Sequence, residues 1–529
     1  MSEGSTRANP TRAATATPVP VAPAIGPPRA VLPSLVPLLR EWLPRQRWFA
    51  GKGRPITGFS LVSATELLPC TASGATPGLL HLLVQAQQTG PPRAQPGESD
   101  CYQLLLGIRS ALPSQLAHTL IGRPTGGPLH GRTVYEALQD PRLAGLLLER
   151  LRVPGRLGAL RFTRAPSTAI PSGLTPRPIA VEQSNSSVVY GDAYILKVFR
   201  RVGAGINPDL ELPLALAEAG CRRVPHPTAW FETTAESAQP GGPAAEPLTL
   251  GVLQPFLPGS ADGWQLALNS LSVRADFTSA ARALGRATAE VHTALAAALP
   301  TAVLRRQQID VLAAGMTERL DAAAAAVPAL RPYRDRLRAA FHDLAALGRR
   351  GRTWPAQRIH GDLHLGQTLR TAQDGRWALI DFEGEPARPI AERRRLQPVA
   401  RDIAGMLRSF DYAARTHHPA PDTSAWAQEW ALQNRAAYCD GYAAASGVDP
   451  RDEPELMRAY ETDKAVYEVL YEARHRPDWL PVPMAAIQRL AGMPDGLRGP
   501  AGSAGRRAAE GRPAGGRRPA PDMPPAPPA

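Results

Sequence analysis

The chain has 529 residues, 43% hydrophobic and 20% charged, the balance of a globular protein long enough for two or three domains. Its net charge of +13 invites a nucleic-acid reading, but much of the excess sits on arginines at the two ends, and no aromatic–basic interleaving or nucleic-acid module goes with it. No apolar run approaches the roughly 18 residues of a membrane span, and the scattered Cys70, Cys101, Cys221 and Cys439 form neither a metal motif nor a disulfide framework, so nucleic-acid and membrane partners are excluded and a reducing cytoplasm is expected.

Residues 1–30 and 498–529 are rich in Pro, Gly, Ala and Arg and lack large apolar side chains, which predicts two disordered tails. Leu32–Leu43 reads as a helix with Leu35, Leu39 and Trp42 on one face, followed by the segment RQRWFAGKG at 45–53. Gly78–Ala86 and Cys101–Arg109 read as antiparallel strands, making 31–110 a small α+β unit. From Thr133 the text VYEALQDPRLAGLLLERL predicts a helix. Strands are expected near Ile179–Gln183 and Ser187–Lys197, with Gly191-Asp192 as a turn inside the second run. Asn207–Ala219 reads as a helix and Leu248–Leu257 as a strand. Beyond Phe277 the text is helical almost throughout, through Val303–Ala326, Pro332–Leu347, Val399–Ala414, Thr423–Ser446 and Pro454–His475. A polar loop at Arg358–Leu369 and a short hairpin ending at Phe382 interrupt it. A strand-rich half followed by a helical half with one polar loop is a bilobal α+β layout.

The polar loop reads Ile359-His360-Gly361-Asp362-Leu363-His364-Leu365-Gly366-Gln367, and Asp381-Phe382-Glu383 follows it. Phosphoryl transfer from ATP needs one carboxylate to orient and deprotonate the acceptor hydroxyl, and further oxygen donors to hold Mg2+ against the phosphates. Protein kinases place an Asn metal ligand five residues after the base and an Asp-Phe-Gly later. Here Asp362 stands as base, with Gln367, Asp381 and Glu383 as the expected metal set. His360 precedes the base by two residues and is expected to fix the loop. Each element alone is an ordinary turn or cap; order and spacing together carry the assignment.

Lysine occurs only at Lys52, Lys197 and Lys464, the other basic residues being arginine. Those three positions are candidates for a compact ammonium where a planar guanidinium does not serve. Lys197 ends the strand Tyr194-Ile-Leu-Lys, the pattern of a kinase lysine that pairs with the α/β-phosphates. Glu211 is its expected partner, with Glu218 in reserve. The phosphate loop would be Gln183, Ser184, Asn185, Ser186 and Ser187, which uses hydroxyls and backbone amides instead of glycines. Gln254 and Phe256 lie where a hinge would meet adenine. On the last long helix, Lys464, Tyr467, Glu468 and Tyr471 share a face that suits a disaccharide, the bland alternative being a core stripe with a Lys–Glu pair. His364 is expected to face the acceptor hydroxyl.

The segments EQSNSSVVYGDAYILKVFRR, HGDLHLGQ, IDFEGEP, RDIAGMLRSFDYAA and DKAVYEVLYEARHRPDWLP, with RQRWFAGKG, resemble the actinobacterial maltokinases, within the aminoglycoside-phosphotransferase and choline-kinase group. The resemblance covers about residues 31–497 and weakens around Leu396–Ala400. It implies a cap at 31–110, an ATP-binding lobe at 111–257, and a helical lobe with catalytic and acceptor sites at 258–497. It also implies Mg2+-dependent phosphorylation of maltose on its anomeric hydroxyl to maltose 1-phosphate, which feeds α-glucan synthesis, with trehalose synthase as the maltose source and a possible complex partner. Competing readings are a kinase of this fold acting on another sugar, an aminoglycoside or choline, and a nucleotide-binding pseudokinase that holds a partner.

Overall fold

The computed structural model describes residues 30–70, 76–89, 100–166, 168–179, 184–234, 246–385, 388–417 and 421–492. Nearly all of both expected tails, and Gln183 of the expected phosphate loop, lie outside them. Three cores, one for each successive layer of the chain, organise the molecule.

The first is built on an antiparallel sheet. Helix α1 (Leu32–Trp42) buries Leu35 and Leu39 against strands β1 (Ile56–Leu68), β2 (Gly78–Gln88) and β3 (Cys101–Arg109). The sheet runs β1-β2-β3-β5-β4, with β4 at Leu120–Gly122 and β5 at Thr133–Glu136. The helix expected from Thr133 therefore begins later, as α2 (Pro141–Arg152). Thr133-Val-Tyr is β-branched and aromatic and pairs with β3, Val134 opposite Ile108. Asp140 then caps the helix by accepting from Arg142 N at 3.0 Å, and Pro141 occupies the first helical position, where its missing N–H costs nothing.

The second sheet runs β6-β7-β12-β13-β10-β9-β8, from Gly155–Leu157, Leu160–Arg164, Ala229–Thr234, Pro247–Pro255, Tyr194–Phe199, Asn185–Tyr190 and Pro176–Ile179 respectively. In its centre Lys197 faces Ser187 on one side and Val252 on the other. A two-residue strand, β11 (Arg201–Val202), leaves β10 and pairs with β3, stitching the two sheets together. Helix α3 (Pro208–Glu218), capped by Asn207, packs beneath.

The third core is helical: α4 (Gly263–Ser272), α5 (Thr278–Ala298), α6 (Arg306–Ala326), α7 (Arg334–Arg349), the one-turn α8 (Ile390–Arg393), α9 (Ala400–His417), α10 (Pro421–Ser446), α11 (Pro454–His475) and α12 (Pro481–Gly492). Among them sit the paired strands Ala302–Leu304 and Trp354–Ala356, and a small sheet from Ala261–Asp262, Thr368–Arg370 and Trp377–Leu379. The polar loop hangs between them. Gly405 on α9 lets it approach, because a Cβ there would stand 2.6 Å from the Leu363 carbonyl. Among the described residues no helix is long and apolar enough to cross a membrane. The architecture is α+β, a cap followed by a strand-rich lobe and a helical lobe.

Candidate active site

The polar loop is held by a buried carboxylate. Asp402, at the start of α9, accepts from His360 N and Gly361 N, each at 2.8 Å, and from His292 Nε2 at 3.0 Å. Gly361 adopts φ +86°, a left-handed conformation that glycine takes without strain. The His360 ring donates from Nε2 to Ile380 O at 2.9 Å and packs on Phe382 with centroids 4.6 Å apart. His360 thus ties the two halves of the site together and positions the loop.

That turn presents Asp362, which is buried, with Oδ1 accepting from Lys464 Nζ at 2.8 Å. Burial raises the Asp362 carboxyl above its ordinary range, and the adjacent ammonium limits the rise. His364 accepts from Gly366 N on Nδ1 at 3.1 Å, which leaves the proton on Nε2, buried without a partner among the described residues. Burial, with the charges of Lys464 and His360, lowers it to about 3, so it is neutral near pH 7.

Past the ties from His360 to Ile380 and from Gln367 to Asp381, Lys197 gathers three carboxylates. Its Nζ lies 3.0 Å from Asp209 and 3.1 Å from Glu383, and donates to Asp381 Oδ1. Gln367 Nε2 donates to the other Asp381 oxygen at 2.9 Å, and Asn185 Nδ2 to Glu383 Oε1 at 2.7 Å. Asp381 sits at φ +65°, a conformation unfavourable for a side-chain-bearing residue and concentrated at functional sites. Burial would raise its carboxyl, but Lys197 prevails and lowers it, whereas burial prevails at Glu383 and raises it. Oxygens of Asp209, Asp381 and Glu383 lie within 4.8 Å of one another. An all-oxygen donor set with a neighbouring amide suits a hard divalent cation such as Mg2+. The expected metal set of Gln367, Asp381 and Glu383 is therefore together in space, and Asp209 joins it.

Two expectations are corrected. Glu211 does not meet Lys197; it accepts from Arg358 Nη1 at 2.5 Å and Arg394 Nη2 at 3.2 Å, while Asp209 takes the lysine. Residues two apart on a helix point about 200° apart, so the face of α3 that meets β10 carries Asp209 and not Glu211. Asp209 is fixed there by accepting from Phe382 N at 2.6 Å. The reserve candidate Glu218 is exposed. Glu468 likewise does not face an acceptor: its Oε2 takes Arg408 Nη2 at 2.5 Å inside the helical core, where a buried guanidinium requires a counter-charge.

The other three side chains of this α11 stripe lie next to one another. Lys464 Nζ stands 4.9 Å from the Tyr467 ring centroid, and the Tyr467 and Tyr471 rings are 6.3 Å apart. Beside it a pocket is lined by Gly361, Asp362, Glu385, Arg401, Tyr460 and Lys464. Glu385 and Arg401, paired at 2.9 Å, were not singled out by spacing; the second Glu of IDFEGE, next to the metal motif, is the signal that points to them. Of the expected phosphate loop, Ser184 to Ser187 lie at the start of β9; Asn185 turns to Glu383, and Ser186 Oγ accepts from Arg200 Nε at 2.8 Å. Gln254, the second-last residue of β13, pairs with Ile195, and Phe256 N donates to Ala193 O at 2.8 Å; both are half-buried.

Residues 42–140 match the Maltokinase N-terminal cap domain, and residues 169–448 match the Phosphotransferase enzyme family. A glucosamine kinase of Streptacidiphilus jiangxiensis is 33% identical over 336 residues, covering 59% of this chain and 73% of that protein. One from Mycolicibacterium smegmatis is 30% identical over 333 residues, covering 59% of this chain and 79% of that protein. The solved structure of a glucosamine kinase in complex with glucosamine, ADP and inorganic phosphate aligns with a TM-score of 0.58 and 25% identity, covering 86% of this chain and 98% of that one. With an Asp–Lys pair on a loop tied to a lysine-centred carboxylate cluster, and with these matches, the chain belongs to the phosphotransferase enzyme family and carries a maltokinase N-terminal cap.

Proposed function

We propose that the protein is an ATP-dependent sugar kinase whose acceptor is the anomeric hydroxyl of maltose. The observation that carries the kinase reading is Asp362, buried at a pocket with Lys464 on a loop whose His360 and Gln367 tie it to Ile380 and Asp381, the carboxylate that Lys197 meets. Asp362 accepts the sugar hydroxyl's proton as the oxygen attacks the γ-phosphorus in line and ADP leaves. Lys464 opposes the effect of burial on Asp362, favouring the ionised carboxylate, and holds its Oδ1, which leaves Oδ2 for the hydroxyl. Lys197 meets the nucleotide phosphates, while Asp381, Gln367, Asp209 and Glu383 supply oxygen ligands for Mg2+. Bound there, Mg2+ neutralises charge on the phosphates. His364, neutral and with Nε2–H free among the described residues, donates to the acceptor sugar.

Maltose is supported by the resemblance in the cap segment, the catalytic loop and the α11 text, and by Tyr467 and Tyr471, planes on which sugar C–H faces stack. With maltose goes a place in α-glucan synthesis and trehalose synthase as supplier or partner. A second reading, glucosamine, is favoured by a specific observation: the glucosamine kinase structure aligns over 86% of this chain, more than the kinase lobes alone, so a cap does not by itself select maltose. The discriminating experiment is an acceptor screen with Mg-ATP and maltose, glucosamine, glucose, trehalose and kanamycin, with the phosphorylated position read by 31P NMR. Maltose 1-phosphate as the main product is expected; glucosamine phosphate formed with a higher kcat/KM would replace the maltose assignment.

A further inference from the structure

The cap is wired to the strand that carries the nucleotide lysine, and one buried arginine carries the part of the connection that reaches Ser186. Arg200, three residues after Lys197 and only 2% exposed, donates from Nε to Ser186 Oγ at 2.8 Å and from Nη2 to Glu136 Oε1 at 2.8 Å. Its guanidinium lies over the Trp48 ring at 5.2 Å. Ser186 belongs to β9, whose start holds the expected phosphate-binding segment; Glu136 ends the last strand of the cap sheet; Trp48 belongs to the cap segment RQRWFAGKG. The same junction is sealed by Gln103 in the middle cap strand. Its Nε2 donates to Phe199 O at 2.7 Å and Leu250 O at 2.8 Å, its backbone N donates to Arg200 O at 2.8 Å, and buried His81 holds its Oε1 at 2.9 Å.

We propose that Arg200 is a positioning residue for the nucleotide: with Trp48 and Glu136 behind it, it sets the place of Ser186 and of the Lys197 strand, so that the cap determines how tightly ATP is held. The inference rests on the kinase reading above. The side chain needs a planar fork to serve three partners in three directions at once, which an ammonium does not match. Each partner anchors a different element, so loss of any one loosens β9 against β10 at the phosphate end while leaving the acceptor pocket of the helical lobe untouched. Trp48 and Glu136 belong to the cap rather than to the nucleotide cluster; Glu136 reaches that lobe at Arg200, and Trp48 reaches it at Arg200 and through Tyr102, which pairs with Arg201 of β11.

The test uses the full chain. Mg-ADP binding is titrated calorimetrically, and KM is measured for Mg-ATP and for the sugar, in wild type, Trp48→Leu, Arg200→Gln and Arg200→Lys. Trp48→Leu and Arg200→Gln are expected to raise KM for Mg-ATP roughly five- to tenfold with sugar KM changed less than about twofold, and Arg200→Lys is expected not to restore it. In a Ser186→Ala background Arg200→Gln should add less than it does in the wild type, because the Ser186 contact is already lost and only those with Glu136 and Trp48 remain to be removed. Should Arg200→Gln fail to fold, Trp48→Leu, at a half-exposed position, carries the test. Wild-type Mg-ADP affinity in a folded Trp48→Leu, or equal shifts in both KM values, overturns the inference. A wild-type protein that binds no Mg-nucleotide overturns the kinase reading itself.

Discussion

Lys197 meets three carboxylates within hydrogen-bonding range, and a charge so surrounded is sensitive to which neighbour is lost. Asp209→Asn should lower kcat/KM for ATP by about one to two orders of magnitude, because it removes both the lysine partner and part of the oxygen donor set. Glu211→Gln should leave ATP use within about threefold and instead lower the melting temperature, since it weakens the pairs with Arg358 and Arg394. Steady-state kinetics and thermal unfolding on the two variants decide between them; the reverse pattern would restore Glu211 to the nucleotide site. Asp381→Asn should abolish Mg2+-dependent nucleotide binding in a titration, and unchanged binding would move the metal site elsewhere. At this scale much was legible. The interval from Asp362 to Gln367 and the later Asp381 came from spacing alone; the scarcity of lysine marked Lys52, Lys197 and Lys464, of which the last two meet the carboxylates and Lys52 is exposed. The identity of the lysine's partner was not legible, because it depends on which face of α3 docks on β10, a tertiary fact that a helical text does not contain.

At the scale of elements, α11 carries two kinds of residue on one stripe. Lys464 turns to the pocket with the Tyr467 ring beside its ammonium, while Glu468 turns to Arg408 in the core. Lys464→Arg should therefore raise sugar KM with ATP KM held, as a bulkier fork replaces the ammonium beside Asp362. Glu468→Gln should cost up to about 3–5 kcal/mol of stability by taking the close partner from buried Arg408, which keeps only its 3.3 Å pair with Asp411, a carboxylate shared with Arg435 and Arg489, with sugar KM unchanged in whatever folds. Denaturant unfolding and acceptor titration separate the two; a sugar-binding defect without a stability defect in Glu468→Gln would return it to the acceptor face. The periodicity of α11 predicted the helix at Pro454–His475 and the shared stripe but not the split, because a 3.6-residue period does not say where the core ends and the pocket begins. Strand β5 was missed for a related reason. Its four residues run straight into the apolar text of α2, and only Asp140-Pro141 marks the boundary.

Across the whole molecule, the cap and the nucleotide lobe share one seam, with buried His81 and Gln103 at its centre. Burial lowers His81 to about 4, with the hydrogen bond to Gln103 opposing, against an ordinary value of 6.5. The unfolded chain therefore binds more protons than the native one between those values, so this stability is fully present above about pH 6.5 and is lost as pH falls toward 4. The melting temperature should fall on acidification from pH 7 to 5, and His81→Gln, which does not titrate there, should flatten that slope; an unchanged slope in the variant would remove His81 from the account. The bilobal layout with a cap was readable from the order of strands and helices and from the resemblance. That the cap sheet continues past Arg109 to Glu136 and pairs through β11 with the nucleotide lobe was not, because both pairings join segments distant in sequence.

The central claim is that Asp362 performs phosphoryl transfer from Mg-ATP to a sugar hydroxyl. The direct measurement compares sugar phosphate formed by wild type and by Asp362→Asn at saturating Mg-ATP, with nucleotide affinity measured alongside. The account predicts sugar-dependent transfer in the wild type, a loss of about a thousandfold in the variant, and nucleotide affinity within a few-fold of wild type. Transfer by Asp362→Asn at more than about a tenth of the wild-type rate, or no Mg2+-dependent transfer to any sugar by the wild-type protein, would contradict it.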